Sequence, residues 1–274
     1  MPDVLLRSSP LVLDRSPVRI HYRDVGQGRP IVILHGGWGY DAYPFDRQVG
    51  VLAPRFRIVI PDRTGYGGSE PLDTLPIDFH QRAADETRAV IAALDLERPI
   101  LWGHSDGAII ALLVGLDAPD RISAAIVEAT HYFKHKPGSR PFFEGVVAQP
   151  RSKFVELHSR TWIRLVDEAA PGEDFYGGRL SGIRIPVLLI HGARDPRTEP
   201  GELEALSVGP TRTIVLADGG HSPHSEGATA DRVTESVLDF LTDVGCRDLS
   251  DASHDVPGPP KRAPRDDGAP TKSR

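Results

Sequence analysis

The sequence predicts an α/β fold with a mainly parallel central sheet flanked by helices, on three observations. Short, continuous runs of branched apolar residues recur along the chain. Segments with helical periodicity separate these runs. One aromatic-rich stretch then interrupts the alternation and reads as an insertion over the sheet.

The runs are Ile31-Val32-Ile33-Leu34, Ile58-Val59-Ile60, Ile100-Leu101-Trp102, and residues 124–127, 187–190 and 214–216. Runs that are apolar at every position suit strands buried on both faces, as in a parallel sheet covered by helices. Residues 18–23 differ, with Val18, Ile20 and Tyr22 alternating with Arg19, His21 and Arg23. That period of two marks a half-exposed strand, expected to pair with residues 11–13. Between the runs, Val90, Ile91 and Leu94 form an apolar helix face after the acidic turn Asp85-Glu86. Residues 108–116 are apolar nearly all round, as for a helix buried against a sheet. Val233, Val237 and Leu241 mark a last helix, with Leu238 alongside. Strands alternating with helices imply a parallel sheet.

Residues 131–180 break the rhythm. They carry His131-Tyr132-Phe133, Phe142-Phe143, Phe154, Trp162 and Phe175-Tyr176 but no strand-like run. The expected organisation is a core over 1–130, a cap insertion over 131–180, the second part of the core over 181–245, and a disordered tail over 246–274. The tail is rich in proline and charge and lacks aromatics, so it offers too little apolar surface to offset the entropy of ordering.

Composition narrows the function classes. Of the 274 residues, 39% are apolar and 26% charged, values ordinary for a globular protein. A net charge of −6 and the lack of a basic, aromatic-interleaved stripe leave no reason to expect nucleic acid. The single cysteine, Cys246, cannot make an intramolecular disulfide. No stretch reaches the roughly 18 apolar residues of a membrane span. The N-terminus lacks a basic start followed by a long apolar run. A cytoplasmic protein is expected, with no membrane partner and an oligomeric state that the sequence leaves open.

Gly103-His104-Ser105-Asp106-Gly107 lies between a strand-like run and a helix-like segment. In that context G-x-S-x-G is a nucleophile elbow: a sharp turn presents the serine Oγ at a helix N-terminus, where peptide dipoles favour developing negative charge. A serine hydroxyl is a weak nucleophile and needs a base. Among 11 histidines, His104 adjoins the serine on a turn that points neighbours apart. His35 and His191 each precede a glycine at a strand end, which suits a structural role. His221 lies in a glycine-flanked loop after the last run, with His224 its rival on the same loop. The base needs an acidic partner to hold its tautomer. Asp195, just past the 187–190 run, is the candidate, and Glu128 is the alternative.

Four motifs in order resemble the α/β-hydrolase family over about residues 11–244. They are His35-Gly36-Gly37-Trp38-Gly39, Asp62-Arg63-Thr64-Gly65-Tyr66-Gly67-Gly68-Ser69, His191-Gly192-Ala193-Arg194-Asp195 and Gly219-Gly220-His221, with the elbow between the second and third. The resemblance implies a catalytic triad of Ser105, Asp195 and His221. It implies an oxyanion hole made by the N–H groups of Asp106 and Gly37, with Trp38 as rival to Gly37. No metal or cofactor is expected, because such a triad supplies nucleophile and base. The Ser-Asp-Gly elbow further resembles that of valacyclovir hydrolase-like members.

The expected function is cleavage of a carboxylic ester or related acyl compound, a small molecule, through an acyl-enzyme on Ser105. Trp38 and Asp106 are expected to line the substrate pocket. A carboxylate beside the nucleophile suggests an amino-acid ester bound through its ammonium; the alternative is that Asp106 caps the helix or bonds neighbouring loops. Carbon–carbon bond hydrolysis, cofactor-free lyase or perhydrolase chemistry, and non-catalytic small-molecule binding are the other readings this scaffold admits. Dehalogenase and epoxide-hydrolase chemistry is disfavoured, because those relatives attack with an aspartate where this chain has Ser105.

Overall fold

The computed structural model describes residues 1–252, with side chains as far as Gly245. In chain order the elements are β1 (Asp3–Leu6), β2 (Val18–Val25), β3 (Arg29–Leu34), α1 (Asp46–Leu52), β4 (Phe56–Pro61), α2 (Phe79–Ala93), β5 (Ile100–His104), α3 (Asp106–Asp117) and β6 (Ala124–Glu128). They continue with α4 (Arg140–Ala148), α5 (Lys153–Glu168), β7 (Val187–Gly192), α6 (Glu202–Leu206), β8 (Thr211–Leu216) and α7 (Ala230–Ala252). The eight strands form one sheet in the order β1-β2-β4-β3-β5-β6-β7-β8. From β4 to β8 every pairing is parallel; β1 and β2 alone run antiparallel to their neighbours.

The continuous apolar runs are what a two-sided sheet needs, because the pleat sends alternate residues to opposite faces. Val32, Leu34, Val59, Leu101, Val127 and Leu189 join the core beneath α2, α3 and α5. Ile31, Ile33, Ile60, Trp102, Ile126 and Ile190 join the opposite core beneath α1 and α7. α3 runs through the first core with Gly107 to Gly115 all buried, which explains its nearly uniform apolar character.

Three sequence expectations need correction. Residues 18–23 do form a half-exposed strand, but β2 pairs with β1, with Val4 opposite Ile20. Residues 11–13 stay outside the sheet: the Val12 N–H turns back to the Ser9 carbonyl at 3.1 Å, and Leu13 is exposed. β1 escaped notice because only Leu6 of its four residues is buried. Asp85 and Glu86 lie inside α2, whose apolar face accommodates the buried Glu86 by bonding it to Ser9 and Thr64. β8, expected to be buried on both faces, is the sheet edge and leaves Val215 exposed.

Residues 131–180 fall between the adjacent parallel strands β6 and β7 and carry α4 and α5. A buried ion pair from Lys136 to Glu202 ties the start of this segment to α6. Glu202 Oε1 also accepts from the Tyr132 N–H at 2.7 Å. α7 continues to Ala252, past the Gly245 boundary assigned to the tail. The rest of the expected tail, residues 253–274, lies outside the described residues.

Candidate active site

Parallel strands deliver their C-terminal ends to one edge of the sheet, and loops leaving that edge share a common space. β3 ends one residue before His35-Gly36-Gly37, and β5 ends at His104, next to Ser105. β7 ends three residues before Asp195, and β8 five residues before His221. Distant sequence motifs therefore meet.

Ser105 sits between β5 and α3 with φ 54° and ψ −118°, outside the regions that a side-chain-bearing residue normally adopts. Its N–H bonds the Glu128 carbonyl at 2.9 Å, and its carbonyl accepts from Ala108 at 2.9 Å. The turn closes only because its flanks lack side chains. A Cβ on Gly103 would lie 2.2 Å from the Gly107 carbonyl oxygen, and one on Gly107 would lie 2.0 Å from that of Leu34.

His221 Nδ1 donates to Asp195 Oδ2 at 2.7 Å. Burial alone would raise the Asp195 pKa, but the His221 hydrogen bond and charge and the Arg197 backbone N–H hold it at about 2. Burial and the nearby Arg197 charge lower His221 to about 4, against the pull of Asp195. At neutral pH His221 is therefore an uncharged imidazole with its Nδ1 proton on a carboxylate. Its Nε2 is buried and has no hydrogen-bond partner among the described residues. Ser105 Oγ accepts instead from Arg197 Nη2 at 3.1 Å.

The two alternatives left open by the sequence pair with each other. His224 Nδ1 lies 3.0 Å from Glu128 Oε2, and its Nε2 lies 3.1 Å from the Tyr43 carbonyl. Glu128 also accepts from Trp102 Nε1 at 2.7 Å. Both side chains are fully buried. His104 braces the His221 loop, with Nε2 2.9 Å from the His221 carbonyl. His35 accepts from the Arg63 N–H at 3.2 Å, and His191 meets Thr198 Oγ1 at 2.7 Å.

Ser105, His221, Gly37, Trp38 and Asp106 line one small cavity of about 20 Å³, room for about one water. α4 and α5 close it with Phe143, His158 and Trp162. Gly37 and Asp106 are in close apposition: a Cβ on Gly37 would lie 2.7 Å from Asp106 Oδ2 and 2.2 Å from His158 Cε1. Tyr66 Oη donates to the Gly37 carbonyl at 2.7 Å and orients that peptide. Trp38 stacks on Phe142 at 5.3 Å between ring centres.

The Asp106 carboxylate makes no helix cap. It accepts from His158 Nε2 at 2.5 Å, His80 Nε2 at 3.1 Å and Trp162 Nε1 at 3.2 Å. Burial pushes its pKa up, but His158 and His80 outweigh that and hold it well below the usual carboxylate range. These three donors leave little room for a substrate ammonium, so the side chain works as a tie between α3, α2 and α5. Sequence reasoning missed Arg197, His80, His158 and Trp162. Ser105 and Arg197 are far apart in sequence, and neither His80 nor His158 belongs to a recognisable motif.

Residues 31–235 match the model of the alpha/beta hydrolase family, and the chain belongs to that family; it is a hydrolase. It is 27% identical over 245 residues to the mouse (Mus musculus) protein Serine hydrolase BPHL, covering 82% of this chain and 83% of that one. It is 25% identical over 259 residues to pimeloyl-[acyl-carrier protein] methyl ester esterase of Pectobacterium atrosepticum, covering 81% and 98%. Among solved structures, Est816, described as an N-acyl homoserine lactone degrading enzyme, superposes with TM-score 0.64 at 22% identity, covering 87% of this chain and 100% of that one. The meta-cleavage product hydrolase of Pseudomonas fluorescens IP01 superposes with TM-score 0.66 at 16% identity, covering 89% and 98%, a likeness of fold.

Proposed function

We propose that this protein is a serine hydrolase that cleaves a carboxylic ester or related small acyl compound through an acyl-enzyme on Ser105. The observation that carries the reading is the shared cavity. It brings Ser105 on its strained turn together with His221, whose Nδ1 is bound to Asp195 at 2.7 Å and whose Nε2 has no partner among the described residues.

As Ser105 Oγ bonds to the acyl carbon, its proton passes to His221 Nε2. Asp195 stabilises the imidazolium without taking a proton. The carbonyl oxygen gains negative charge beside the Asp106 N–H at the start of α3 and the Gly37 N–H in the loop after β3. Collapse breaks the acyl–oxygen bond, and His221 returns the proton to the departing alkoxide. A water then repeats the sequence on the acyl-enzyme, releasing the carboxylic acid and restoring Ser105. Before attack, the Ser105 hydroxyl, which accepts from Arg197 through a lone pair, must turn its own proton to His221 Nε2. Mouse Serine hydrolase BPHL and the Pectobacterium methyl ester esterase support the class of reaction by similarity.

A fluorophosphonate probe tests the reading. Wild type should gain the probe's mass on the peptide that carries Ser105 and hydrolyse simple neutral esters, and Ser105→Ala should do neither. Equal labelling or turnover in Ser105→Ala would overturn it.

A further inference from the structure

Arg197 is an uncommon residue to find in a closed site. It is only 9% exposed, yet among the described residues no carboxylate lies within ion-pair distance of its guanidinium. The two acids nearest in chemistry are committed elsewhere. Asp195 is bound to His221 through Oδ2 and to the Arg197 backbone N–H through Oδ1. Asp106 is surrounded by His80, His158 and Trp162. Of the five N–H donors on a guanidinium, one reaches Ser105 Oγ at 3.1 Å, and Nε is buried without a partner among the described residues. The flat face of the group packs against Phe142, 4.9 Å from the ring centre, with Phe143 at 6.0 Å. A buried cation without an anionic partner is costly. Here it lines the same cavity as the nucleophile, packed on aromatic rings, with Asp195, Asp106 and Glu202 favouring its charge only from beyond ion-pair distance.

From this arrangement we infer that Arg197 is a specificity-determining residue that binds a carboxylate on the substrate, close to the scissile ester. The inference rests on the hydrolase reading of Ser105 and names its substrate class. A planar guanidinium pairs with a carboxylate through two parallel hydrogen bonds, a match that no hydroxyl can offer. The incoming carboxylate therefore draws the guanidinium away from Ser105 Oγ. The hydroxyl's own proton, which the Arg197 bond does not use, is free to turn to His221 Nε2 with the anion bound. Because the guanidinium shares the cavity with Ser105 and reaches its Oγ at 3.1 Å, a carboxylate about two or three carbon atoms from the scissile carbonyl lies within reach of a bidentate pair. Long fatty acyl chains ending in neutral groups lack this feature. Half-esters of short dicarboxylic acids have it on the acyl side, and acyl esters of short hydroxy acids have it on the alcohol side.

The test compares each anionic ester with its neutral amide of the same shape. Monomethyl succinate is set against methyl succinamate, and O-acetyl glycolate against O-acetyl glycolamide, in wild type, Arg197→Gln and Arg197→Lys, with Tm confirming that each variant is folded. The readout is the ratio of kcat/KM within each pair. In wild type one pair should favour the anion by about ten- to a hundredfold, and which pair does so tells the acyl side from the alcohol side. The ratio should collapse toward unity in Arg197→Gln and recover in part in Arg197→Lys. The same ratio in wild type and Arg197→Gln, or a wild-type preference for the amides, would overturn the inference. If neither pair is turned over, succinate protection of Ser105 from a fluorophosphonate decides. Slower labelling in wild type and not in Arg197→Gln supports the inference; equal rates overturn it. Failure of wild type to label at all would instead sink the hydrolase reading beneath it.

Discussion

His221 and His224 stand three residues apart on one loop, yet each binds a different carboxylate: Asp195 at 2.7 Å for the first, Glu128 at 3.0 Å for the second. The loop thus builds two acid–histidine pairs. Of the two, only His221 faces the cavity with Ser105 and leaves its second ring nitrogen without a partner among the described residues. His224 uses that nitrogen on the Tyr43 carbonyl and stacks on Phe45 at 3.7 Å, which makes its pair a brace between the sheet and the segment before α1.

This division separates two substitutions. Asp195→Asn should fold normally and lower kcat/KM on a neutral ester by about ten-thousandfold, because the imidazole loses its orienting charge and its correct tautomer. Glu128→Gln should act on stability, since it weakens a buried bond to His224 while leaving the cavity intact. Steady-state kinetics and thermal melts on both variants check this. An active Asp195→Asn alongside an inactive, well-folded Glu128→Gln would exchange the two roles.

The pH–rate profile should carry the mark of His221. Burial and the Arg197 charge place its pKa at about 4. The neutral form accepts the Ser105 proton, so kcat/KM on a neutral ester should be level from about pH 8 down to about pH 5. It should then fall tenfold per unit below about pH 4. A break at about 6.5, the ordinary histidine value, would mean that His221 is not held neutral by its surroundings.

Stability should fall across a different window. Burial lowers the pKa values of His35, His80, His104, His131, His191 and His221 below 6.5. As pH drops through 6.5 the unfolded chain takes up protons that the folded chain refuses, so the folded state loses ground. Each histidine that remains neutral in the fold at pH 5 costs about 2 kcal/mol between pH 7 and pH 5. Asp195 and Asp106 have the usual carboxylate behaviour, with stability present above about pH 4 and lost only below it. Tm should therefore fall by at least about 5 °C from pH 7 to pH 5, before Asp195 and Asp106 titrate; the buried Glu86, whose pKa burial raises, offsets this fall only in part against six histidines. A flat Tm over that interval would contradict the neutral assignment of these histidines.

How much of this was legible beforehand follows from the range of the interactions. Runs such as 31–34 and 100–102 announce buried strands because every residue in them must be apolar. The elbow announces itself because Gly103 and Gly107 have no room for a Cβ against neighbouring backbone. The β1–β2 pairing was not legible, since a lone buried Leu6 leaves no periodic trace. Nor were the partners of Asp106. His80, His158 and Trp162 come from two helices far from the elbow in sequence, and nothing local marks a histidine that will meet a carboxylate. Arg197 was hidden for the same reason. The sequence Asp195-Pro196-Arg197 reads as a charged turn, and only the folded chain reveals that its guanidinium is buried against Phe142.

The last prediction concerns Asp106 itself. Its Oδ1 receives His80 and Trp162 and its Oδ2 receives His158, all buried, and an ionised carboxylate can accept from all three. Asp106→Ala leaves two imidazole donors and an indole N–H without an acceptor, and loses the tie between α3 and the helices α2 and α5. Removing one partner of a buried charged network costs about 3–5 kcal/mol, and thermal or urea unfolding should register it. Asp106→Asn should cost less. Its amide oxygen can still accept, and His158, whose Nδ1 has no partner, can move its proton there and accept from the new amide N–H. The indole has no such second tautomer. Because the three donors already occupy the carboxylate, an aminoacyl ester should gain less than about tenfold in kcat/KM over its deaminated counterpart in wild type. A strong amine preference that vanishes in a folded Asp106→Asn would show the carboxylate reaching substrate after all. The His80 and His158 contacts would then have to open on binding.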